Sequence, residues 1–276
     1  MPIFRSPLAT ALGTAPDADA SNYIASAGVT RLQQQIGINN LVVFLKAQSL
    51  WTPLSGGFLF GTKAGARSGT SMPDLKGGTA ATLTGGTFNE NGILLNGATA
   101  DKFSFGNRTF TSNYTPSAYV LCNYTVAAGA TNSYKFTFSP LDNSGTYRAF
   151  FVGHDTTGGT ADNTVQSYRY DGNRYFIGGF SSVNSTGKYI SFCLSSNDQK
   201  LYRDGLIAAT QVATTSAAAR TINANVEWFL GPFVSNSQTS TEATNMSSIL
   251  FWDSNTTITQ TQYSVLDSII KQIILA

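Results

Sequence analysis

The sequence predicts an all-β protein: an antiparallel jelly-roll sandwich with an N-terminal arm and helix and a C-terminal packing helix. Three observations predict this class. From about residue 92 to 253, apolar and polar residues alternate with the period of two that is typical of half-buried strands. The pairs Asp171-Gly172 and Asp204-Gly205 lie between such runs and favour tight hairpins, because both central positions need positive φ. Charged residues make up only 12% of the chain, whereas 34 Thr, 18 Phe and 12 Tyr favour strands.

The N-terminal third divides into an arm and a helical leader. Residues 1–17 carry three of the eight prolines and no periodicity, which predicts an extended arm. Residues 18–51 predict one helix over about 18–27, ended by Gly28, and a second that opens with Thr30 as its N-cap and runs to about Leu50. The second helix has an apolar stripe at helical spacing, formed by Ile38, Leu41, Val42 and Leu45.

The remainder, residues 52–276, is predicted to be the sandwich with its C-terminal helix. Its first part, 52–90, is rich in Gly, Thr and Ser, which predicts loops with two short strands; the glycine spacing fits no phosphate-binding loop. The last helix is predicted to begin after Thr259, which forms a capping box with Gln262. Its apolar stripe consists of Tyr263, Leu266, Ile270 and Ile273.

Composition argues against several classes of partner and compartment. The net charge of +2, without a Lys/Arg cluster, argues against a nucleic-acid surface. No apolar run reaches the roughly 18 residues needed to span a bilayer, and the first 20 residues lack the continuous apolar segment of a secretory signal. We therefore expect no membrane partner and synthesis without export. Cys122 and Cys193 both fall inside apolar alternating runs, which predicts two buried thiols rather than a disulfide.

Catalytic chemistry has little support in the sequence. His154 is the single histidine, no GxSxG turn presents a serine, and the Gly-rich segment after Asp155 predicts a surface-loop histidine. A retaining glycosidase needs two carboxyl groups about 5–5.5 Å apart, yet none of Glu90, Glu227 and Glu242 has an acidic partner at a suitable spacing. We therefore expect no catalytic residue, no metal, no cofactor and no enzyme, with a polysaccharide hydrolase as the weaker alternative.

A sugar site is predicted at the Asp171-Gly172 hairpin. Sugars bind where aromatic rings stand beside hydrogen-bonding side chains, and four residues around this turn offer both: Tyr168, Tyr170, Arg174 and Tyr175. The alternative is that these tyrosines are ordinary cross-strand pairs. A calcium site near Asp155 and Asp162 is the alternative to the absence of a metal, although no loop there has an ordered set of oxygen ligands.

The second half of the chain resembles laminin-G-like and concanavalin A-like domains. The segments GKYISFCLSSNDQKLYRDGLIAAT and VEWFLG match the family's strand, hairpin and following strand, through Leu201, Tyr202, Asp204, Gly205 and Gly231. SSILFWDSNTTITQTQYSVLDSIIKQI is similar to its closing strand and terminal helix. Lys188-Tyr189 replaces the Trp-His pair common before the hairpin. The resemblance implies a concanavalin A-like sandwich.

The front of the chain resembles the leader of structural proteins of tailed bacteriophages, in which a helix ending in Leu-Trp precedes such a sandwich. The segments INNLVVFLKAQSLWTPLSGGFLFGT, SMPDLKGG and FNENGILLNGATADKF carry the likeness. The matching residues are Leu41, Leu45, Lys46, Leu50, Trp51, Leu75, Lys76, Phe88, Gly92 and Asn96. The resemblance implies a non-enzymatic virion structural protein, in the capsid surface, a fibre or the tail, that assembles in the host cytoplasm.

Partners follow from the arm and from the sandwich. Ile3, Phe4 and Leu8 are the apolar anchors with which the arm is expected to bind other virion proteins; the alternative is a frayed terminus. A homo-oligomer and contact with a host surface glycan are compatible with this role. The alternative function is a carbohydrate-binding adhesin module.

Overall fold

The computed structural model describes residues 15–60, 69–90, 92–95, 101–108, 116–124, 136–140, 148–155, 164–170, 174–177, 188–195, 200–203, 206–210, 226–231, 234–235, 238–239, 244–253 and 255–276. The helices in these ranges are α1 (Ala18–Ser26), α2 (Leu32–Ala47) and α3 (Gln260–Leu275). The strands are β1 (Leu54–Leu59), β2 (Ser71–Met72), β3 (Ala81–Thr84), β4 (Thr87–Asn89), β5 (Gly92–Leu95), β6 (Lys102–Arg108), β7 (Ser117–Tyr124), β8 (Phe136–Pro140), β9 (Arg148–Asp155), β10 (Thr164–Tyr170), β11 (Arg174–Ile177), β12 (Lys188–Ser195), β13 (Lys200–Arg203), β14 (Leu206–Thr210), β15 (Val226–Gly231), β16 (Val234–Ser235), β17 (Gln238–Thr239) and β18 (Thr244–Trp252).

Two eight-stranded antiparallel sheets form the body of the protein. The first has the strand order β14-β13-β12-β7-β18-β5-β4, and β1 also pairs with β18. We call it the helix-covered sheet. The second, the open sheet, has the order β11-β10-β9-β8-β15-β6-β3-β2. Strands β16 and β17 form a separate pair. The predicted all-β antiparallel sandwich is confirmed.

The core between the two sheets is strongly aromatic. Phe58 and Phe105 have ring centroids 5.1 Å apart, and Phe105 lies 5.2 Å from Phe251 in an edge-to-face arrangement. Phe138 of the open sheet packs 5.0 Å from Trp228. All five side chains are almost completely buried. Each large aromatic side chain buries much apolar area, so this cluster contributes strongly to the cohesion between the sheets.

The three helices pack on the other side of the helix-covered sheet and form a helix layer. The predicted stripes are confirmed, because both lie in one buried cluster with the sheet: Ile38, Leu41, Val42, Leu45, Tyr263, Leu266, Ile270 and Ile273. Central strand β7 is therefore buried on both sides. Ala118 and Val120 belong to the core between the sheets, whereas Tyr119 and Leu121 belong to the cluster under the helices.

Two of the three predicted helix-end signals agree with the structure. Gly28, with φ of +64°, follows α1, and α3 has the predicted capping box: the Thr259 hydroxyl accepts from the Gln262 backbone N–H, and the Gln262 side chain accepts from that of Thr259. The prediction that Thr30 caps α2 is wrong. Arg31 occupies the N-cap without a side-chain hydrogen bond, and α2 begins at Leu32.

The described residues of 52–90, which exclude 61–68, contain four strands, β1 to β4, instead of the two short strands predicted. Glycine-rich composition favours turns when only neighbours in sequence count, but in β1 the glycines admit large side chains from β18. A Cβ at Gly56 would lie 2.4 Å from the Phe251 ring. Pairing of β1 with β18 keeps this segment extended, so tertiary packing overrides the local preference.

The hairpin predictions are confirmed by strand pairing. Arg203 pairs with Leu206 on either side of Asp204-Gly205, and Tyr170 pairs with Arg174. Strand β9 continues to Asp155, which pairs with Thr164 of β10. None of the helices in the described ranges has the length and apolar character needed to cross a membrane.

Candidate functional site

The two sides of the open sheet have different surroundings. Phe103 and Trp228 are completely buried between the sheets. On the opposite side, which we call the outer side, Thr82 and Thr84 are exposed and Phe229 is half-buried. The helix layer packs on the other sheet. At these described positions, therefore, the outer side of the open sheet is accessible to solvent.

Backbone register extends this assignment to β9, β10 and β11. Phe138, which is buried in the core, pairs with Phe151 of β9, and directly opposite residues of an antiparallel pair share one side of a sheet. The preceding residue, Phe150, therefore belongs to the outer side. Phe150 pairs with Tyr168, and Tyr168 pairs with Phe176. These three residues form one row across three strands of the outer side.

A second row lies two residues further along the same strands. Tyr170 pairs with Arg148 on one neighbouring strand and with Arg174 on the other. Neighbouring strands are about 4.8 Å apart, and positions i and i+2 are about 6.8 Å apart. The register thus places an arginine position on each side of Tyr170. We call the six positions of both rows the aromatic-arginine patch: Arg148, Phe150, Tyr168, Tyr170, Arg174 and Phe176.

The register brings together three of the four predicted sugar-binding residues. Tyr168, Tyr170 and Arg174 belong to the aromatic-arginine patch. Tyr175 pairs with Arg169 and alternates with Arg174, so the register places it on the side of the sheet that faces the core. The predicted arm anchors Ile3, Phe4 and Leu8 lie outside the described residues, as does Asp162.

Three members of the patch were missed in the sequence. Phe176 had a usable signal, because a three-residue connection pairs Tyr170 with Arg174 and hence Tyr168 with Phe176. For Arg148 and Phe150, the sequence of their own segment contained no such signal. Their place beside the tyrosines depends on the pairing of β9 with β10, which local alternation does not specify.

A charged cluster lies on the outer side near the other end of the open sheet. Lys102 Nζ is 3.0 Å from both carboxylate oxygens of Glu227, and Ser104 Oγ donates to Glu227 Oε1 at 2.5 Å. Partial burial raises the pKa of Glu227, but the hydrogen bonds from Ser104 and Lys102 outweigh it and hold the pKa below its usual range. Glu227, one of the carboxylates that a glycosidase could have used, is thus held in its ionised form as a structural partner of Lys102.

His154 lies within strand β9, and the prediction of a loop histidine is wrong for its backbone. The physical reason is the continued pairing of β9 with β10 as far as Asp155. In the part of the chain that the structure describes, no three His, Cys, Asp or Glu side chains come together in a way that could hold a metal ion.

No protein-family model matches the chain, and no curated protein matches its sequence. Several solved structures resemble its fold. A Trypanosoma rangeli sialidase in complex with 2,3-difluoro-KDN covers 89% of this chain and 41% of its own length, at 11% identity and a TM-score of 0.50. Another structure of Trypanosoma rangeli sialidase covers 89% of this chain and 39% of its own, at 12% identity and a TM-score of 0.50.

A third similar structure is that of botulinum neurotoxin type C, whose cell entry depends on interaction with two ganglioside molecules. It covers 81% of this chain and 53% of its own length, at 9% identity and a TM-score of 0.50. The chain thus spans well under two thirds of each of these proteins. At such low identity the likeness shows the fold, a lectin-like β-sandwich, and carries over no residue's role.

The sialidases correct one expectation. The sequence predicted a protein that is not an enzyme, and this inference is wrong, because chains containing the same sandwich are sialidases. Missing catalytic motifs were its only basis in the sequence. A shared fold hosts unrelated functions, so neither the sandwich nor the lack of a familiar motif excludes an enzyme.

Proposed function

We propose that this protein binds acidic glycans through the aromatic-arginine patch. The observation that carries the proposal is the backbone register of β9, β10 and β11, which places Arg148 and Arg174 on either side of Tyr170. Arginine guanidinium groups bind carboxylates with two parallel hydrogen bonds, and this geometry selects a planar acidic group. A glycan with a carboxylate-bearing sugar has the matching charge.

The neighbouring row supplies the apolar half of the recognition. Phe150, Tyr168 and Phe176 occupy adjacent strands about 6.8 Å from the arginine row. Aromatic rings offer flat apolar area, on which the C–H face of a sugar ring packs, and tyrosine adds a hydroxyl for hydrogen bonding. A carboxylate at one row and a sugar ring at the other span a distance of the order of one monosaccharide.

The accessibility of other outer-side positions also supports the proposal. Thr82 and Thr84 are exposed and Phe229 is half-buried. Among proteins of similar fold, a sialidase holds a nononic acid derivative, and the botulinum neurotoxin type C structure concerns ganglioside interaction. Those ligands are of the acidic glycan class that the register of the patch favours.

Matched glycans that differ by one acidic sugar test the proposal. We expect 3′-sialyllactose to bind the purified chain at least about tenfold more tightly than lactose, which corresponds to about 1.4 kcal/mol. Arg174→Ala should abolish this preference, and Arg174→Lys should restore part of it, because lysine keeps the charge without the bidentate fork. Tyr170→Ala should weaken both ligands.

Thr82→Ala is the matched control, since Thr82 lies on the same outer side at the opposite end of the open sheet. It should leave affinity unchanged. Equal affinity for lactose and sialyllactose, or a preference that survives Arg174→Ala, contradicts the proposal. Calorimetric titration measures both quantities, and circular dichroism verifies the fold of each variant.

The setting in which this binding operates is the second part of the proposal: a component of a tailed-phage virion that contacts a host surface glycan. Support comes from the leader resemblance and from the packing of its matching residues, since Leu41, Leu45 and Leu50 are buried in the helix layer. Deleting residues 2–12, which include Ile3, Phe4 and Leu8, should leave a folded protein that no longer joins the particle. Full occupancy of the truncated protein, seen by electron microscopy, contradicts the arm's role.

A further inference from the structure

The helix layer has apolar side chains on the face that points away from the sheet. On α2, Leu32 and Val43 are 38% and 48% exposed, and on α3 Val265 is 39% exposed. The same two helices carry three further apolar side chains that are half-buried. We call all six the outer helix face: Leu32, Ile36, Val43, Phe44, Val265 and Ile269.

The outer helix face makes α2 apolar on two sides. Leu32, Ile36 and Val43 follow one another at intervals of four and seven residues, so they form one row along the helix. The row that includes Leu41 and Leu45 lies on the side that packs on the sheet. A surface helix normally carries charged and polar residues on the side away from the core. An apolar surface in that place is typical of a site that another segment covers.

The face continues from α2 onto α3. These helices run antiparallel, because Arg31 Nη1 at the start of α2 donates to the Ala276 carbonyl after α3, at 2.9 Å. At the other end, Gln262 Nε2 in the first turn of α3 lies 3.5 Å from Gln48 Oε1 after α2. This register brings Phe44 level with the α3 part of the outer helix face. The face is therefore continuous across both helices.

The described part of the chain begins beside this face. Asp17 N–H donates to Asn39 Oδ1 at 2.8 Å, and Lys46 Nζ donates to Asp17 Oδ1 at 2.8 Å. Asn39 lies four residues before Val43 and Lys46 three residues after it, so both are its neighbours on the surface of α2. Residues 1–14, which precede the described chain, are thus tethered next to Val43.

The composition of residues 1–14 matches the outer helix face. Four of these residues are large and aliphatic or aromatic, namely Ile3, Phe4, Leu8 and Leu12, and Arg5 is the only charged residue. Two prolines favour an extended backbone, which can follow the surface between two parallel helix axes. An apolar face without charges offers no ionic partner, so an apolar segment with almost no charge is the matching occupant.

The segment is long enough to cover the face and is held close to it. An extended chain spans about 3.3 Å per residue, so 14 residues reach over roughly 46 Å. The 16 residues of α2 make a helix about 24 Å long, and packed helices lie about 8–10 Å apart. A short tether gives an effective concentration in the millimolar range. The arm of the same chain therefore competes well against the arm of a second copy.

We propose that residues 1–14 fold back in the free protein and cover the outer helix face of their own chain. The side chains of Ile3, Phe4 and Leu8 pack on α2 and α3, which removes both apolar surfaces from water. The proposal rests on neither proposed function, because it concerns the free chain. A partner that binds these anchors in an assembly has to displace them from the helices.

A nitroxide spin label on the arm tests where the arm lies. Both native thiols are buried, so a label attached at Ser6→Cys reports from that position. In 15N-labelled protein, the oxidised label should broaden the backbone amide signals of Ile36, Val43 and Ile269 relative to the reduced label. The amide of Thr84, on the outer side of the open sheet, should stay equally sharp in both samples.

Three variants of the labelled protein make the test specific. Phe4→Ser should lower the ratio of docked to free arm at least about tenfold, which corresponds to about 1.4 kcal/mol, because it removes a buried aromatic ring. Val43→Glu should release the arm from the helix side, because docking would bury its charge against apolar side chains. Val43 is exposed, so the fold tolerates this change. Thr84→Glu is the matched control: it adds the same charge on the opposite side of the sandwich and should leave the broadening unchanged.

A mixed sample distinguishes the chain's own arm from that of a second copy. 15N-labelled protein without the spin label is mixed with unlabelled protein that carries it, and the signals of the outer helix face should stay sharp. Broadening in this mixture assigns the face to a second copy and overturns the proposal. The proposal is equally wrong if the labelled chain shows no broadening at the outer helix face, or if Val43→Glu leaves that broadening intact.

Discussion

Cys122 and Cys193 lie on neighbouring strands of the helix-covered sheet and belong to its two opposite sides. Cys122, on β7, is part of the core between the sheets, and Cys193, on β12, is part of the cluster beneath the helices. In the register of these strands, Cys122 pairs with Ile190 and Cys193 with Tyr119. Side chains on opposite sides of a sheet point apart, so a disulfide between them would require the backbone to rearrange. The predicted buried thiols are confirmed, and neither cysteine forms a disulfide.

This arrangement predicts a difference in reactivity under partial unfolding. Both thiols should resist iodoacetamide in the native protein, because both are fully buried. When mild denaturant loosens the helix layer, Cys193 should react before Cys122, since Cys193 is covered by helices and Cys122 by the aromatic core. Mass spectrometry of timed, digested samples measures each rate. Earlier labelling of Cys122 contradicts the assignment of the two sides.

The Glu227–Lys102 pair predicts a pH-dependent contribution to stability. The pKa of Glu227 is lowered in the folded protein from its ordinary value of 4.5. Its stabilising contribution is therefore fully present above pH 4.5 and is lost as the pH falls through the folded pKa. Glu227→Gln should cost about 1 kcal/mol at pH 7, since the bonds are charge-assisted but partly screened by solvent.

Urea unfolding at several pH values checks this contribution. The difference in unfolding free energy between wild type and Glu227→Gln should shrink as the pH decreases below 4.5. Glu90→Gln serves as a control, because Glu90 is exposed and should show a difference near zero at every pH. A wild-type advantage that persists unchanged in acid would rule out the ionised pair as its source.

A buried tyrosine–carboxylate bond holds α3 on the helix-covered sheet. Tyr119 Oη donates to Asp267 Oδ1 at 2.9 Å, and Lys271 Nζ donates to Asp267 Oδ2 at 2.9 Å. Burial is the largest of the influences that raise the pKa of Tyr119 well above its ordinary value, so the phenol stays protonated as the donor. Tyr119→Phe leaves a buried carboxylate oxygen without this donor and should cost about 1–3 kcal/mol.

A double-mutant cycle separates this bond from lost packing. Asp267→Asn in the Tyr119→Phe background should cost less than it does in the wild type, with a coupling of about 1 kcal/mol measured by denaturant unfolding. Strictly additive losses would show that the hydroxyl and the carboxylate do not interact energetically.

Gly56 tests the packing that makes β1 a strand. A Cβ at this position would lie 2.4 Å from one atom of the Phe251 ring and 2.8 Å from another. Gly56→Ala should therefore destabilise the protein by about 1–3 kcal/mol through overpacking. Phe251→Leu should recover part of that loss when the two changes are combined, although it is destabilising alone. Thermal unfolding compares the stabilities of the four proteins. If the loss of stability in the double variant equals or exceeds the sum of the losses in the two single variants, the steric explanation is contradicted.

Much of the secondary structure follows from local physical chemistry. Helical periodicity alone is enough to predict the stripe Leu41, Val42 and Leu45. A segment of four residues is enough to predict the capping box of Thr259 and Gln262. The hairpin that pairs Arg203 with Leu206 follows from Asp204-Gly205, a dipeptide that favours tight turns. Each signal lies within one element, where neighbours in sequence are also neighbours in space.

Such local signals do not predict the contacts between different helices and strands. Within glycine-rich 52–90, β1 is a strand because it pairs with β18 and because Gly56 makes room for Phe251. Continuous burial of Tyr119 and Val120 on one strand depends on a helix layer that covers the second side of the sheet. Composition alone does not distinguish strands that are buried on both sides from strands with one solvent-exposed side.

The candidate sites show the same division. By itself, the sequence determined the all-β class, both amphipathic helices and the tyrosine-rich hairpin, because period and turn chemistry are local properties. Tertiary structure alone decided that Arg148 joins Tyr170 and Arg174 in one row, and that Asp17 is bonded to Asn39 beside the outer helix face. Residues far apart in the chain meet only when register and packing are chosen globally, since a shift of one residue would move every side chain of β9 to the other side of the sheet.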